Sequence, residues 1–187
     1  WSPKARGGMI KPAINLFYPK TTRRCDMGMD VYGLNPKLKS EKPEIDWSSA
    51  DELAREQYFE ALGKFESDNP GYYFRNNVWW WRPLWDYVTT VCDSVMTDYQ
   101  KERGEYNEGY EYDAELTAKM VELLDADIAN NGHHQYEKQH LADQAEAKKQ
   151  EESGEIDKAW VCSYPFDPQN VEEFVNFLRN SGGFTVL

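Results

Sequence analysis

YPFDPQNVEEFVNFLRNSGGFTVL, residues 164–187, contains a helix with both ends specified, followed directly by an extended piece. Asp167 is an N-cap residue, able to accept from an amide that lacks a partner at a helix start. Pro168 takes the first helical position, where a missing N–H does no harm. Phe166 and Val171 flank the cap as a hydrophobic staple. Val171, Phe174, Val175 and Leu178 recur at three- and four-residue steps and form a buried stripe. Glu172 and Glu173 sit near the positive end of the helix dipole and Arg179 near the negative end. Gly182 suits the left-handed conformation that ends a helix, and residues 183–187 are predicted to be extended.

Working back along the chain, helical signals dominate. The segment 134–151 is mostly polar and predicts a solvated helix docked on a thin edge of Tyr136, Leu141 and Ala145. A helix follows Asp113, with Leu116, Met120, Leu123, Leu124 and Ile128 inward and Asn131-Gly132 as its stop. A long helix is expected over 82–102, where Trp81, Leu84, Trp85, Val88, Val91, Cys92, Val95, Met96 and Tyr99 keep the period and Pro83 lies near the entrance. Another is expected over 48–66, with Ala50, Leu53, Ala54, Tyr58, Ala61, Leu62 and Phe65 on one stripe. Ser49 and Glu52 form its capping box, and Asn69-Pro70-Gly71 its stop. Extended pieces are predicted at 28–33, 159–164 and 183–187. The expected class is helix-dominated α+β, with about five helices and a two- or three-stranded sheet at one edge.

The 187 residues carry a net charge of −12, unevenly spread. Lys4, Arg6, Lys11, Lys20, Arg23 and Arg24 oppose one acid, Asp26, so residues 1–26 carry +5 and the remaining 161 carry −17. With Met27-Gly28-Met29 at the break, residues 1–26 read as a basic N-terminal extension that need not be native, its rival being an arm that contacts phosphate or the acidic body. Residues 27–187 read as a single acidic globular domain. Nucleic-acid binding is disfavoured, because it rests on neutralising phosphates with Lys and Arg. No apolar run approaches the roughly 20 residues of a membrane span. Cys25, Cys92 and Cys162 are widely spaced with no CxxC pair, which fits a reducing cytoplasm, and Cys92 and Cys162 read as small core residues.

Two blocks, MGMDVYG (27–33) and YFRNNVWWWRPLW (73–85), together with the terminal YPF…NVEEFVNFLRNSGGF, resemble a family of short uncharacterised proteins of phage and bacterial genomes. The resemblance implies a phage or prophage setting and carries no established activity. Against that family's pattern the 48–66 helix looks like an insertion between the first two blocks, and 98–113 lacks a His-rich character. Trp79, Trp80 and Trp81 cannot all enter one small core, because they point about 100° apart on a helix and alternate on a strand. One reading makes them a core corner; the other makes them a binding edge, in which Asn76 and Asn77 form side-chain turns and Arg75 and Arg82 pair with Asp30 or stack on the indoles. The candidate binding residues are Asp30, Arg75, Asn76, Asn77, Trp79, Trp80, Trp81, Arg82 and Trp85.

Metal binding has one weak candidate set, His133, Glu137 and His140, spaced to share a helix face beside His134. No cofactor is implied: GxSxG, Walker and GxGxxG patterns are absent. Glu105, Glu108, Glu111 and Asp113 read as a flexible acidic loop, and the terminal Thr-Val-Leu as the closing strand of the small sheet. The expected function is that of a non-enzymatic accessory protein that binds a protein partner through an acidic surface and an aromatic-Arg edge. The rivals are a nucleic-acid mimic that occupies a basic cleft, and a small hydrolase or nucleotide-binding enzyme centred on Arg75, Asn76 and Asp30.

Overall fold

In the computed structural model, which describes residues 28–154 and 163–187, the first strand is paired on both sides. This strand, β1 (Gly28–Gly33), lies antiparallel to β2 (Tyr73–Asn77) on one side and to β4 (Phe184–Val186) on the other. The short β3 (Tyr110–Tyr112) adds to the far edge of β4, giving the order β2-β1-β4-β3. Among the described residues six helices accompany the sheet: α1 (Glu52–Asp68), α2 (Val78–Val91), α3 (Asp98–Arg103), α4 (Ala114–Ala129), α5 (Gly132–Ser153) and α6 (Pro168–Ser181). The class is helix-dominated α+β as expected, but the sheet has four strands. YFRNN lacks the alternating apolar pattern that marks a strand in sequence, and YEY alternates over only three residues, too few to be read as one. The basic extension 1–26, Cys25, Cys162 and residues 159–162 of the expected 159–164 strand lie outside the described residues; Ser163 and Tyr164 are not in a strand.

The core lies between one face of the sheet and the helices. Met29 and Val31 of β1 and Phe184 and Val186 of β4 pack in one buried cluster with Trp81, Leu84, Trp85 and Val88 of α2, Met120 and Leu124 of α4, and Val171, Phe174 and Leu178 of α6. Successive strand residues face opposite ways, so Asp30 and Tyr32 point away from this cluster. Trp81 and Trp85, one helical turn apart, stack with centroids 5.4 Å apart and planes within 11°. Each indole N–H donates to a backbone carbonyl, Trp81 to Gly104 and Trp85 to Lys101, both at 2.8 Å. Gly104 permits this approach, since a Cβ there would stand 2.0 Å from the Trp85 ring.

The C-terminal helix forms as expected. Asp167 Oδ1 accepts from the Gln169 amide at 2.9 Å, Pro168 opens the helix, and Gly182 ends it at φ 62°. The Asp113 cap and the α4 stripe also hold, although α4 stops one step early at Asn130, and Asn131, at φ 61°, leads into α5.

The helix expected over 82–102 is two helices. Asn77 caps α2, accepting from the Trp79 and Trp80 amides at 3.1 Å each, so the helix begins before the tryptophans. Pro83 therefore lies past the first turn, where it removes a bond the Trp79 carbonyl would otherwise accept. The helix ends at Cys92, and a new cap restarts it: Thr97 Oγ1 accepts from Gln100 N at 3.2 Å, while Gln100 Oε1 accepts from Thr97 N at 2.9 Å. The apolar period runs through this break, but Tyr99 at its end is exposed.

The expected stripe of α1 is mostly uncovered. Phe65 alone is buried, and Leu53 is 61% exposed. Its cap is Asp51, whose Oδ1 accepts from Ala54 N at 2.8 Å, while the Ser48 and Ser49 hydroxyls both donate to Asp46. The stop at Asn69 is as predicted and does more: its buried side chain donates to the Phe65 carbonyl at 2.7 Å and accepts from Lys39 N at 2.6 Å, tying down the irregular 34–51 segment. On α5 the docked edge runs through His133, Tyr136, His140, Gln144 and Ala147, whereas Leu141 and Ala145 face outward.

Burial sets the expected cost of truncation. In urea unfolding, Trp85→Ala should lose about 3–5 kcal/mol through the cavity and the lost stack. Leu53→Ala should stay within about 0.5 kcal/mol of the parent, because its side chain has little to lose.

Candidate functional site

Strand register sorts the candidate residues between the two faces of the sheet. Asp30 pairs with Arg75 and Tyr32 with Tyr73 on the outer face, while Met29 pairs with Asn76 and Val31 with Phe74 on the core face. Arg75 Nε lies 3.6 Å from Asp30 Oδ1, and the Tyr73 hydroxyl donates to that same oxygen. Gly28 makes room for the guanidinium: a Cβ there would stand 3.0 Å from Arg75 Nε and Nη2. Partial burial, with the hydrogen bond to Asp30 next in weight, holds the Tyr73 phenol well above its usual range. Both charges are partly solvated, so the ion pair contributes about 0–1 kcal/mol. Asn76 belongs elsewhere, donating to Asn170 Oδ1 on α6 at 3.0 Å. Asp30, Arg75 and Asn76 therefore do not converge on one pocket, and Asn77 is engaged as the α2 cap.

Helical geometry divides the tryptophans. Trp81 and Trp85 are fully inside. Trp79 is 38% exposed and Trp80 half-buried. The Trp79 ring meets Tyr164 edge-on, with centroids 4.7 Å apart, and the Arg82 guanidinium lies 5.9 Å from the centroid of the same tyrosine. Tyr164 is in turn held by α5: His140 Nε2 and Gln144 Nε2 each lie 2.7 Å from its carbonyl oxygen. Sequence reasoning missed Tyr164 as a member of this edge, its only signal being its place in the third family-like block. The result is one exposed indole, Trp79, and the Arg82 guanidinium set on the buried Tyr164, while Trp80 lies on the flank of α2 away from Arg82.

The histidine set does not assemble. His133 is buried with Nε2 3.5 Å from Glu172 Oε1, His134 Nδ1 lies 3.6 Å from Glu137 Oε2, and His140 is directed to the Tyr164 carbonyl. Among the described residues no group of three or more His, Cys, Asp or Glu side chains is placed to hold a metal ion. Helical spacing puts the three residues on one edge, but α6 and the 163–166 segment draw their functional atoms apart. An open acidic groove of about 620 Å³ runs between α5 and α6, lined by His134, Glu137, Glu172 and Glu173.

The acidic stretch 104–113 is more ordered than a flexible loop. Glu108 pairs with Arg103, Glu111 lies in β3, and Asp113 caps α4. The terminal strand closes the sheet as expected, Leu187 N donating to Asp30 O at 2.7 Å and Asp30 N to Leu187 O at 3.0 Å.

Cys92 sits in the core, and burial pushes its thiol up to about 12. A thiol-alkylating reagent at neutral pH should leave the Cys92 peptide unmodified in the folded protein and modify it once denaturant is added, as read by mass spectrometry. The phenols of Tyr73, Tyr87 and Tyr136 are all raised, by desolvation first, with hydrogen-bonded or nearby carboxylates adding to it. Because their folded-state values lie above the unfolded value of 10.0, the stability they contribute is complete below pH 10.0 and is lost as pH rises further. An ultraviolet titration should accordingly show a set of tyrosines that ionise only as the protein unfolds in alkali. In comparisons with known proteins, no family model, no curated protein and no solved structure matches the chain.

Proposed function

We propose that the protein acts by binding a protein partner through the edge formed by Trp79 and Arg82, backed by the buried Tyr164 and set on an acidic body. The observation that carries this reading is the state of Trp79: it is 38% exposed, yet it is fixed by the Asn77 cap at its amide and by Tyr164 against its ring. An indole held ready in this way loses little conformational freedom on association. Trp, Tyr and Arg are also the residue types in which binding energy concentrates. The acidic charge supplies steering toward a basic surface and excludes acidic competitors. Support for binding over catalysis comes from the separation of Asn76, on the core face, from Asp30 and Arg75 on the outer face, and the family-like blocks favour an accessory role in a phage or prophage setting.

The test is a comparison of affinity purifications from the native host, using wild type and the Trp79→Ala/Arg82→Ala double variant. A partner retained by wild type should bind the variant at least about tenfold more weakly, equivalent to about 1.4 kcal/mol. The variant should keep a cooperative melting transition and lose about 1–3 kcal/mol of stability, the worth of the ring contacts with Tyr164, which leaves the fold intact for the comparison. Equal retention by the two proteins defeats the proposal. Retention that is insensitive to the double substitution and falls steeply with salt favours the nucleic-acid mimic instead.

A further inference from the structure

We infer, resting on the reading of the Trp79–Arg82 edge as the binding surface, that His140 and Gln144 on α5 are its positioning residues. They act through Tyr164, and the docking of α5 thereby controls the edge. Tyr164 stands in the irregular stretch 164–167 just before Pro165, which keeps it extended and has no N–H to offer. Among the described residues, 164–166 make no backbone–backbone hydrogen bond. The tether comes instead from α5, where His140 Nε2 and Gln144 Nε2 both reach the Tyr164 carbonyl oxygen at 2.7 Å. A carbonyl oxygen can only accept, so the proton of His140 must sit on Nε2. The two nitrogens stand 3.0 Å apart, both as donors, and share the two lone pairs of one oxygen. Positions 140 and 144 are one helical turn apart, so both side chains leave α5 on one face.

The clamp begins and ends on the helix that carries the edge. Trp79, Arg82 and Asp86 follow i, i+3, i+7 spacing and share one face of α2. Asp86 accepts from the Tyr136 hydroxyl of α5, one turn before His140, and Trp79 meets the Tyr164 ring at 4.7 Å between centroids. The Tyr136 ring lies parallel to His140 within 13°, and Phe166 stands 6.1 Å from the same imidazole. The imidazole is therefore held in direction as well as in place. Polar contacts of this kind matter to α5, because over its 22 residues it buries only His133 and Ala147. An element docked by few apolar contacts opens at lower free energy than the core. Movement of α5 away from α2 takes both donors from Tyr164 and releases Trp79 from its edge-on contact. The indole then has to be ordered again on association, which weakens binding.

The test uses the full chain labelled with fluorotryptophan, in which the Trp79 fluorine resonance is assigned by its loss in Trp79→Phe. Gln144→Glu keeps the size of the side chain, turns a carboxylate oxygen toward the Tyr164 carbonyl and draws the His140 proton to itself. His140→Phe keeps a ring without a donor. Each variant should move the Trp79 resonance and leave those of the buried Trp81 and Trp85, assigned in the same way, in place. Gln139→Ala, on the exposed face of α5, should move none of them. Nitrogen NMR of the wild-type imidazole at about pH 8, where histidine is ordinarily neutral, should find the proton on Nε2. A partner that wild type retains and Trp79→Ala/Arg82→Ala releases should bind Gln144→Glu about two- to tenfold more weakly, the range expected when one side chain loses its preordering. The inference is overturned by a Trp79 resonance unmoved in both variants, by a shift that spreads to Trp81 and Trp85, or by a proton on Nδ1. Equal retention of that partner by Gln144→Glu and wild type also overturns it. If no partner distinguishes wild type from Trp79→Ala/Arg82→Ala, the binding reading itself fails, whereas the clamp on Trp79 is still decided by the resonance.

Discussion

The double pairing of β1 is the constraint on which the rest of the molecule depends. Its two neighbours come from far along the chain, and the terminal Leu187 itself exchanges both backbone hydrogen bonds with Asp30. Both faces of the strand are specified by its alternation. Met29 and Val31 carry the helical layer, while Asp30 and Tyr32 face Arg75 and Tyr73. The ends are held just as closely: a Cβ on Gly33 would stand 2.1 Å from the Gly71 carbonyl oxygen, so the chain can pass there only without a side chain. Loss of this strand would leave α2 and α6 with no common floor.

The same pairing gives a physical meaning to the two blocks MGMDVYG and YFRNNVWWWRPLW. Residues 28–32 and 73–77 are register partners, residue for residue. Gly28 accommodates the Arg75 side chain, Asp30 receives Arg75 and Tyr73, and the second strand ends on Asn77, which immediately caps the helix bearing the tryptophans. Three adjacent indoles then become three environments: one exposed, one half-buried and one in the core. The segment between the blocks, which contains α1, contributes only Phe65 and Asn69 to the buried interior of the described residues besides Gly71. Most of its apolar groups therefore stay at the surface.

Charge and aromatic content bear on function through this layout. The acids of α1, α4 and α5 lie mostly on solvated faces, while the large aromatics form a continuous interior from Phe74 through Phe174 and Phe184 to Tyr112. Besides Tyr99 in α3 and Tyr106 just after it, the exposed aromatic groups fall in two places. One is the Trp79 edge, stiffened by Tyr164 and the helix cap; the other is the Trp47–Phe59 cluster at α1.

The sequence by itself determined what is local. Caps at Asp113 and Asp167, the proline entry and glycine exit of α6, the stop at Asn69 and the inward stripes of α4 and α6 were legible because each depends on a few neighbouring residues and on helical period. Tertiary structure decided which of the periodic faces is covered. The stripe of α1 and the end of the 82–102 pattern keep the helical period, but Leu53 stays 61% exposed and Tyr99, although it meets Tyr110 edge-on, is equally open to water. The strands β2 and β3 were illegible for a related reason: their hydrogen bonds are completed by β1 and β4, which are distant in sequence. Parity across those strands, which separates Asn76 from Asp30 and Arg75, and the arrival of Tyr164 beside Trp79 follow from long-range pairing and packing. A single chain's periodicity carries the shape of each element, and only the folded contacts select the partners.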